Sequence, residues 1–383
     1  MAIPDRITRM FGIEHPIFAF THAREVVAAV SRAGGMGVYG ASTFPPQRVD
    51  ADLAWIARNC DGRPFGVDVM IPVKWLGQEI TGDVAAVEAS LESGLPEGHR
   101  RFVDGLLDRF GVGPLTAAPP PPADDRPGGR GWRSAWNQFR LGAVEGQLHV
   151  EVALRHPIAF LVTALGPPPP QVVAAARARN VKLGALVGAA RHARQHVAAG
   201  VDVIIAQGTE AAAHTGDIAT MVLVPEIVEA VAPIPVLAAG GIGSGRQLAA
   251  AFALGAQGAW TGSIWLACAE SDEPPEVIER MLAASSADTV RSSCRTGKPL
   301  RQLRSAWADA WAEPEAPPTL PMPTQHLLTA DAEERIHRHG RADLTTIPVG
   351  QNVGRMQAVR PAADIVAGMM AECRAVLGEL GGT

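Results

Sequence analysis

The 383-residue sequence contains only four cysteines, which lie far apart and show no C-x-x-C spacing. This scarcity argues against a disulfide framework and against a cysteine-based zinc site. The chain also lacks an uncharged apolar run long enough to cross a membrane, and its first residues lack the apolar segment of a secretory signal. We therefore expect a cytoplasmic protein that does not act at a membrane.

The sequence also lacks a large excess of charge of either sign, since the formal net charge is −5 and no basic block occurs along the chain. Nucleic acid is therefore not an expected partner. The G-x-G-x-x-G fingerprint of dinucleotide-binding folds is missing from the glycine-rich region, which disfavours a Rossmann fold. The pattern does not decide the oligomeric state, and a homo-oligomer is left open.

Histidine pairs with metal-ligand spacing are almost absent. His192 and His196 could share one face of a helix, but Ala193 stands where an H-E-x-x-H motif needs glutamate, and no third ligand is evident. We expect no metal site and interpret this pair as an exposed helix face.

The sequence does contain short apolar strands that alternate with amphipathic helices. Repeated βα units with continuous apolar strands indicate a parallel sheet, and eight of them favour a closed (β/α)8 TIM barrel, an α/β fold, over an open sheet. The predicted strands cover residues 16–20, 36–41, 65–71, 159–165, 182–187, 201–207, 235–241 and 258–266.

Two segments interrupt this rhythm and define the expected domains. After the third strand, residues 80–155 form an insertion that is part helical, and its proline- and glycine-rich part at 114–131 is expected to be mobile. Two interpretations of this insertion are open: a lid over the site, or a solvent-exposed segment without a functional role. The barrel is expected to span residues 1–305. Residues 306–383 are expected to add a linker and a C-terminal helix that packs on the barrel.

Two glycine loops follow the last two predicted strands. Gly240 and Gly241 end the seventh strand, and Gly262 and Ser263 lie in the region of the eighth. In β/α barrels the ends of these strands commonly bind a phosphate through free backbone N–H groups and a helix N-terminus. The pair of loops therefore predicts a site for a phosphate-bearing cofactor.

His214 is the strongest candidate for a catalytic group. It lies in a loop of small residues directly after the buried sixth strand, where α/β barrels place catalytic side chains. An ordinary imidazole can act as a base or a hydrogen-bond donor near neutral pH. The alternative is a purely structural histidine.

The sequence resembles the nitronate monooxygenase family, formerly called 2-nitropropane dioxygenases. The most specific shared pattern is Q-G-x-E-A-x-x-H-x-G at residues 207–216, and G-Q-x-x-G recurs at 350–354. Further matching motifs lie at 15–17, 31–37, 238–242 and 253–258, so that the likeness covers most of the chain outside roughly 80–155.

This resemblance implies an FMN cofactor and gives His214 the place of the family's active-site histidine, next to the flavin. Two positions depart from the family pattern: Asp68 stands where relatives commonly have asparagine, and Ala212 and Ala213 replace a Gly-Gly pair. The residues that the resemblance places against FMN are Ala19, Phe20, Thr21, Asp68, Gln207, Gly208, Gly216, Gly240, Gly241, Gly262 and Ser263.

The activity that the resemblance implies is oxidation of an alkyl nitronate with O2 to a carbonyl compound and nitrite, so that the partners are a small-molecule substrate and O2. Two alternatives remain at this point. One is an FMN-dependent reductase or oxidase of enoyl thioesters on the same barrel. The other is a non-catalytic protein that binds FMN or another phosphate ligand.

Overall fold

The computed structural model describes residues 2–71, 74–75, 78–79, 90–115 and 143–381. Thirteen strands are described within these ranges. In chain order they are β1 (Ile17–Thr21), β2 (Met36–Gly40), β3 (Gly66–Met70), β4 (Lys74–Trp75), β5 (Gln78–Glu79), β6 (Phe160–Ala164), β7 (Lys182–Val187), β8 (Val203–Gln207), β9 (Ala213–His214), β10 (Val236–Ala239), β11 (Gly258–Thr261), β12 (Thr289–Ser292) and β13 (Leu300–Leu303).

Helices alternate with the strands along most of the chain. The α-helices are α1 (Arg6–Phe11), α2 (Arg24–Arg32), α3 (Pro46–Asn59), α4 (Glu97–Arg109), α5 (Ala143–Ala153), α6 (Pro170–Ala178), α7 (Ala190–Ala198), α8 (Thr220–Val231), α9 (Gly245–Ala253), α10 (Pro275–Ala283), α11 (Ala306–Ala310), α12 (Thr324–Arg338) and α13 (Ala362–Gly381). Within the described residues, no helix is long and apolar enough to cross a membrane.

Eight of the strands form a closed parallel barrel in the order β1-β11-β10-β8-β7-β6-β3-β2. This confirms the predicted (β/α)8 barrel, with a strand at each of the eight predicted places. One strand is shorter than expected. β11 ends at Thr261, and Ser263–Trp265 forms a 3₁₀ turn, so that Gly262 and Ser263 lie in a loop instead of a strand.

Aromatic side chains fill the barrel and close its N-terminal end. Phe18 of β1 meets Phe160 of β6 across the interior, with ring centroids 5.7 Å apart. Phe11 of α1 packs edge-on against both rings, at 5.5 and 4.9 Å. Helix α1 closes this end with apolar residues. The accessible polar loops therefore lie at the opposite end, at the carboxyl termini of the strands.

The helices pack closely around the strands. Gly37 of β2 lies so near α2 that an added Cβ would be 2.2 Å from the carbonyl oxygen of Val27. The C-terminal helix α13 packs against α9 and α2, as expected for a helix that returns to the barrel. Helix α5, inside the predicted insertion, packs against α3 and β3.

A second, smaller sheet was not predicted from the sequence. Strands β12 and β13 pair antiparallel after the barrel is complete, and β13 also pairs with the two-residue strand β9 in the loop after β8. The sheet therefore joins the chain beyond the barrel to the loop that carries His214.

Two expectations need comment. His196 is buried with 4% of its surface exposed, so that the interpretation of His192 and His196 as an exposed face is wrong for His196. Helix α7 buries that ring against the barrel layer, and burial lowers its pKa to about 4. Most of the predicted mobile segment at 114–131 lies outside the described residues. Whether this segment covers the site as a lid therefore stays a prediction.

We predict that Gly37→Ala destabilises the protein by about 3 kcal/mol, because its methyl group meets backbone that cannot move aside. The matched control is Gly105→Ala on the exposed face of α4, where an added Cβ has nothing within 4 Å. That change should stabilise the fold by roughly 0.5–1 kcal/mol. Chemical denaturation compares the two variants, and equal effects would contradict the packing described for β2 and α2.

Candidate active site

Two loops at the C-terminal end of the barrel present unused backbone donors. Gly241 and Ile242 follow β10, and Gly262 and Ser263 follow β11. Within the described part of the chain, the N–H groups of these four residues have no hydrogen-bond acceptor. The hydroxyl of Ser263 accepts the N–H of Gly350 at 2.8 Å, which leaves its own proton free to be donated. The loops thus converge as a set of donors suited to an anion.

The side chain of Gln247 in α9 holds the first of these loops in shape. Its Oε1 accepts the N–H of Gly243 at 2.9 Å, and its Nε2 donates to the carbonyl of Gly241 at 2.7 Å. Ser244 caps the same helix by accepting the N–H of Gln247. The loop is therefore fixed in advance, with Gly240 and Gly241 in left-handed conformations that only glycine adopts easily.

The glycines predicted to contact a cofactor fall into two kinds. A Cβ at Gly208 would lie 2.1 Å from the hydroxyl of Thr220, and one at Gly240 would lie 2.6 Å from the same oxygen. These two glycines are required by the protein's own packing. A Cβ at Gly262, in contrast, would meet nothing within 4 Å. The open space beside Gly262 is where a ligand could approach the backbone.

Glu210 links these loops, although the sequence analysis gave it no role. Its carboxylate accepts the N–H of Thr220 at 3.0 Å and the hydroxyl of Thr220 at 2.8 Å, at the start of α8. Its backbone carbonyl accepts the N–H of Gln351 at 3.0 Å. The G-Q-x-x-G segment at 350–354 therefore lies against the two predicted phosphate loops.

His214 lies on β9, where its backbone pairs with Leu300 of β13. Its Nε2 is 2.8 Å from the hydroxyl of Thr296 in the loop between β12 and β13. Burial and, to a smaller extent, the nearby charges of Lys298 and Arg295 together lower the pKa of His214 to about 4. The ring is therefore neutral at neutral pH.

The residue before this histidine has a strained backbone. Ala213 adopts a left-handed conformation with φ of 60°, which costs an L-residue about 1–2 kcal/mol. This is one of the two alanines noted above as departing from the pattern of the family that the sequence resembles. The pairing of Ala213 with Arg301 of β13 holds it in this conformation. The arginine side chain also donates to the carbonyl of Thr209 at 2.9 Å.

The remaining predicted residues line the strand ends in different ways. Phe20 and Asp68 belong to the inward-facing rows of β1 and β3, and Phe20 stacks on Trp260 with ring centroids 5.9 Å apart. Ala19 packs in the helix-facing layer, and Thr21 accepts the N–H of Ala23 at 3.0 Å. Ala19 could therefore meet a cofactor only through its backbone, whereas the hydroxyl of Thr21 keeps a proton to donate.

Gln207 and Gly216 complete the predicted set. Gln207 ends β8 beside Ala239 of β10, and its side chain has no bonding partner among the described residues. A Cβ at Gly216 would lie 3.1 Å from the carbonyl oxygen of Gly188, so that glycine there lets the loops after β7 and β9 approach closely.

Asp68 is the most unusual charge-bearing group at the barrel mouth. Only 8% of its surface is exposed, and burial raises the pKa of its carboxyl to about 7. A protonated carboxyl offers one O–H donor and one carbonyl acceptor, which is the pattern of the amide that relatives commonly have there.

Besides Glu210, the sequence analysis missed two further residues near the site. His22 directly follows β1, and its Nδ1 donates to the carbonyl of Gly40 at 2.8 Å. Its place after a predicted strand was a usable signal. Thr296 lies about eighty residues from His214 in a segment without a recognisable motif, so that only the fold brings them together.

The comparison with known proteins agrees with this architecture. The family model described as nitronate monooxygenase matches residues 131–372. A TIM barrel whose C-terminal end carries unbonded backbone donors and a neutral histidine has the layout of an enzyme active site. The chain belongs to the nitronate monooxygenase family, and it is an oxidoreductase.

Two curated relatives extend along nearly the whole chain. A putative monooxygenase, Rv1533, of Mycobacterium tuberculosis is 47% identical, with 98% of each chain covered. A probable nitronate monooxygenase of Staphylococcus aureus is 26% identical, covering 97% of this chain and 98% of the relative.

Solved structures show the same fold. Nitroalkane oxidase from Streptomyces ansochromogenes superposes with a TM-score of 0.75 at 26% identity, over 98% of this chain and 99% of that one. FabK from Thermotoga maritima superposes with a TM-score of 0.71 at 24% identity, over 100% and 99% of the two chains.

The raised pKa of Asp68 leads to a stability prediction with a definite sign. Between pH 4 and pH 7 the folded chain keeps a proton on Asp68 that the unfolded chain loses. The free energy of unfolding should therefore fall as the pH rises from about 4 to about 7, and it should stay at the lower value above pH 7. Asp68→Asn removes the penalty. It should stabilise the protein by up to about 4 kcal/mol at pH 8 and by little at pH 4.5.

Thermal unfolding at the two pH values measures this difference. Asp52→Asn is the contrasting control, because that buried carboxylate accepts Tyr39 at 2.6 Å and Arg24 at 3.3 Å. It should lower the melting temperature at both pH values. An Asp68→Asn variant with the same stability change at pH 4.5 and pH 8 would show that Asp68 is ionised throughout.

Proposed function

We propose that this chain is an FMN-dependent nitronate monooxygenase, which oxidises alkyl nitronates with O2 to a carbonyl compound and nitrite. The observation that carries the proposal is the set of four unbonded N–H groups in the loops after β10 and β11, at the same end of the barrel as a neutral histidine. Family membership supports a nitronate as the substrate class.

The donors fit a single phosphate monoester. The N–H groups of Gly241, Ile242, Gly262 and Ser263 would hold its oxygens, and the hydroxyl of Ser263 would add one more bond. Helix α9 begins directly behind the first loop, so that its N-terminal dipole favours negative charge there.

The inward side chains at the barrel mouth fit the flavin ring. Phe20 and Trp260 give an apolar stacked pair, whereas Gln207 and Asp68 supply polar groups from β8 and β3. A bound flavin supplies the electron transfer that nitronate oxidation needs. The protein's part is to hold the substrate against it and to control protons.

The charges around His214 favour an anionic substrate. Lys298 and Arg295 both act on the ring, and Arg295 is buried in an ion pair with Glu333 at 2.8 Å. Lys298 is exposed and flexible enough to meet a charged ligand. A nitronate carries a full negative charge, which this positive surrounding stabilises.

His214 has two candidate tasks in this reaction. It could hold the nitro oxygens of the substrate, or it could remove the α-proton from a neutral nitroalkane. In both cases the imidazole acts from its neutral form, which its lowered pKa maintains.

Flavin binding gives the first test. Gly241→Val should abolish FMN uptake by the purified protein, because a β-branched side chain blocks the backbone approach to the phosphate. Its matched control is Gly62→Val, which has the same positive φ, 72° against 70° at Gly241, in a turn far from the site. Fluorescence titration with FMN measures both. Full FMN binding by Gly241→Val would refute the assigned phosphate site.

The catalytic role of the histidine gives the second test. His214→Ala should lower turnover of a neutral nitroalkane by about 10²–10⁴-fold while FMN content and melting temperature stay close to those of the wild type. Nitrite release and oxygen uptake report the activity. Unchanged turnover in this variant would remove His214 from the chemistry.

An anaerobic experiment on the same protein distinguishes this proposal from the enoyl-thioester alternative. Under anaerobic conditions the flavin absorbance should bleach on addition of a nitronate and stay unchanged on addition of NADH or NADPH. Bleaching by the nicotinamide alone, with no response to nitronate, would instead favour an enoyl reductase.

A further inference from the structure

The imidazole of His214 has two nitrogens, and the one that carries the proton decides what the ring can do. The Nε2 atom is 2.8 Å from the hydroxyl oxygen of Thr296. Nδ1 has no hydrogen-bond partner among the described residues, so that it is the atom available to a substrate. The direction of the bond to Thr296 therefore sets the chemistry at Nδ1.

Thr296 has two further neighbours, and both belong to the backbone of Lys298. The N–H of Lys298 donates to the threonine hydroxyl at 3.4 Å, and the threonine hydroxyl lies 3.3 Å from the carbonyl oxygen of Lys298. A hydroxyl has one proton to give and two lone pairs. The carbonyl can only accept, and the backbone N–H can only donate.

One arrangement uses all three contacts at once. The hydroxyl proton of Thr296 goes to the carbonyl of Lys298, while its lone pairs accept the N–H of Lys298 and the Nε2–H of His214. In the opposite arrangement, with the threonine donating to His214, the carbonyl of Lys298 would face a bare oxygen lone pair. Thr296 is itself 3% exposed, so that water does not compete for these bonds.

We propose that Thr296 is a positioning residue that fixes His214 as the Nε2–H tautomer, so that Nδ1 faces the substrate as a lone pair. This inference rests on the proposed function. It selects between the two tasks of the histidine: a neutral ring held in this way accepts a proton at Nδ1 and cannot donate to the oxygens of a nitronate.

With a neutral nitroalkane, removal of the α-proton by His214 needs no further reactant. The Cα–H bond breaks and its electron pair forms the carbon–nitrogen double bond of the nitronate. The π pair of the nitro N=O bond moves onto that oxygen, and the proton moves to Nδ1. The resulting imidazolium keeps its Nε2–H bond to Thr296, and the new nitronate charge next to it offsets the cost of that cation. A preformed nitronate bypasses this step.

The tautomer can be measured without any turnover. Nitrogen-15 NMR of the full-length protein with labelled histidine distinguishes the two nitrogens, and the signals of His214 are those lost in His214→Gln. Wild type and Thr296→Ser should show the Nε2–H form, and Thr296→Val should show a mixture. The control Thr163→Val, at another buried threonine, should leave the signals unchanged. An Nδ1–H form in the wild type overturns the proposal, whatever the variants do.

Kinetics with two substrates complete the test. Thr296→Val should lower kcat for a neutral nitroalkane about 10-fold, the worth of one orienting hydrogen bond, with KM almost unchanged. The preformed nitronate should lose less than about twofold, and Thr296→Ser should restore the nitroalkane rate. Equal losses on both substrates, or wild-type rates in Thr296→Val, would overturn the proposal. An Nε2–H tautomer without turnover of any nitro compound would count against the proposed function and leave the role of Thr296 intact.

Discussion

The pairing of β9 with β13 is the constraint on which the candidate site depends. In the loop after β8, Ala213 and His214 are held against β13, a strand that lies beyond the barrel. Arg301 strengthens this contact through its bond to the carbonyl of Thr209. The pairing fixes His214, maintains the strained backbone of Ala213 and brings Thr296 to the imidazole. Without it the histidine would sit in a free loop of small residues.

A second constraint explains the shape of the loops after β8 and β10. The hydroxyl of Thr220 lies so close to Gly208 and Gly240 that neither position accepts a side chain, and Glu210 holds that hydroxyl in place. Part of the glycine pattern thus serves the protein's own packing. The open space at Gly262 and the unbonded N–H groups around it are what remains for a ligand.

The sequence predicted the barrel well because continuous apolar strands followed by helices leave few other folds for a chain of this length. It also located His214 and both glycine loops, since strand ends can be found from the same pattern. It did not predict the sheet of β9, β12 and β13, because two- to four-residue strands carry too little periodicity. Thr296 and Glu210 were missed because their roles depend on contacts between loops. The burial of Asp68 could be expected from its strand, but the height of its pKa could not.

The small sheet also has a consequence for how the protein is made. All eight barrel strands are synthesised by Thr261, yet the partner strand of His214 begins only at Leu300. A growing chain can therefore close its barrel while the histidine loop is still unpaired. The geometry around His214 is therefore complete only after residues beyond the barrel have emerged and docked on its open end.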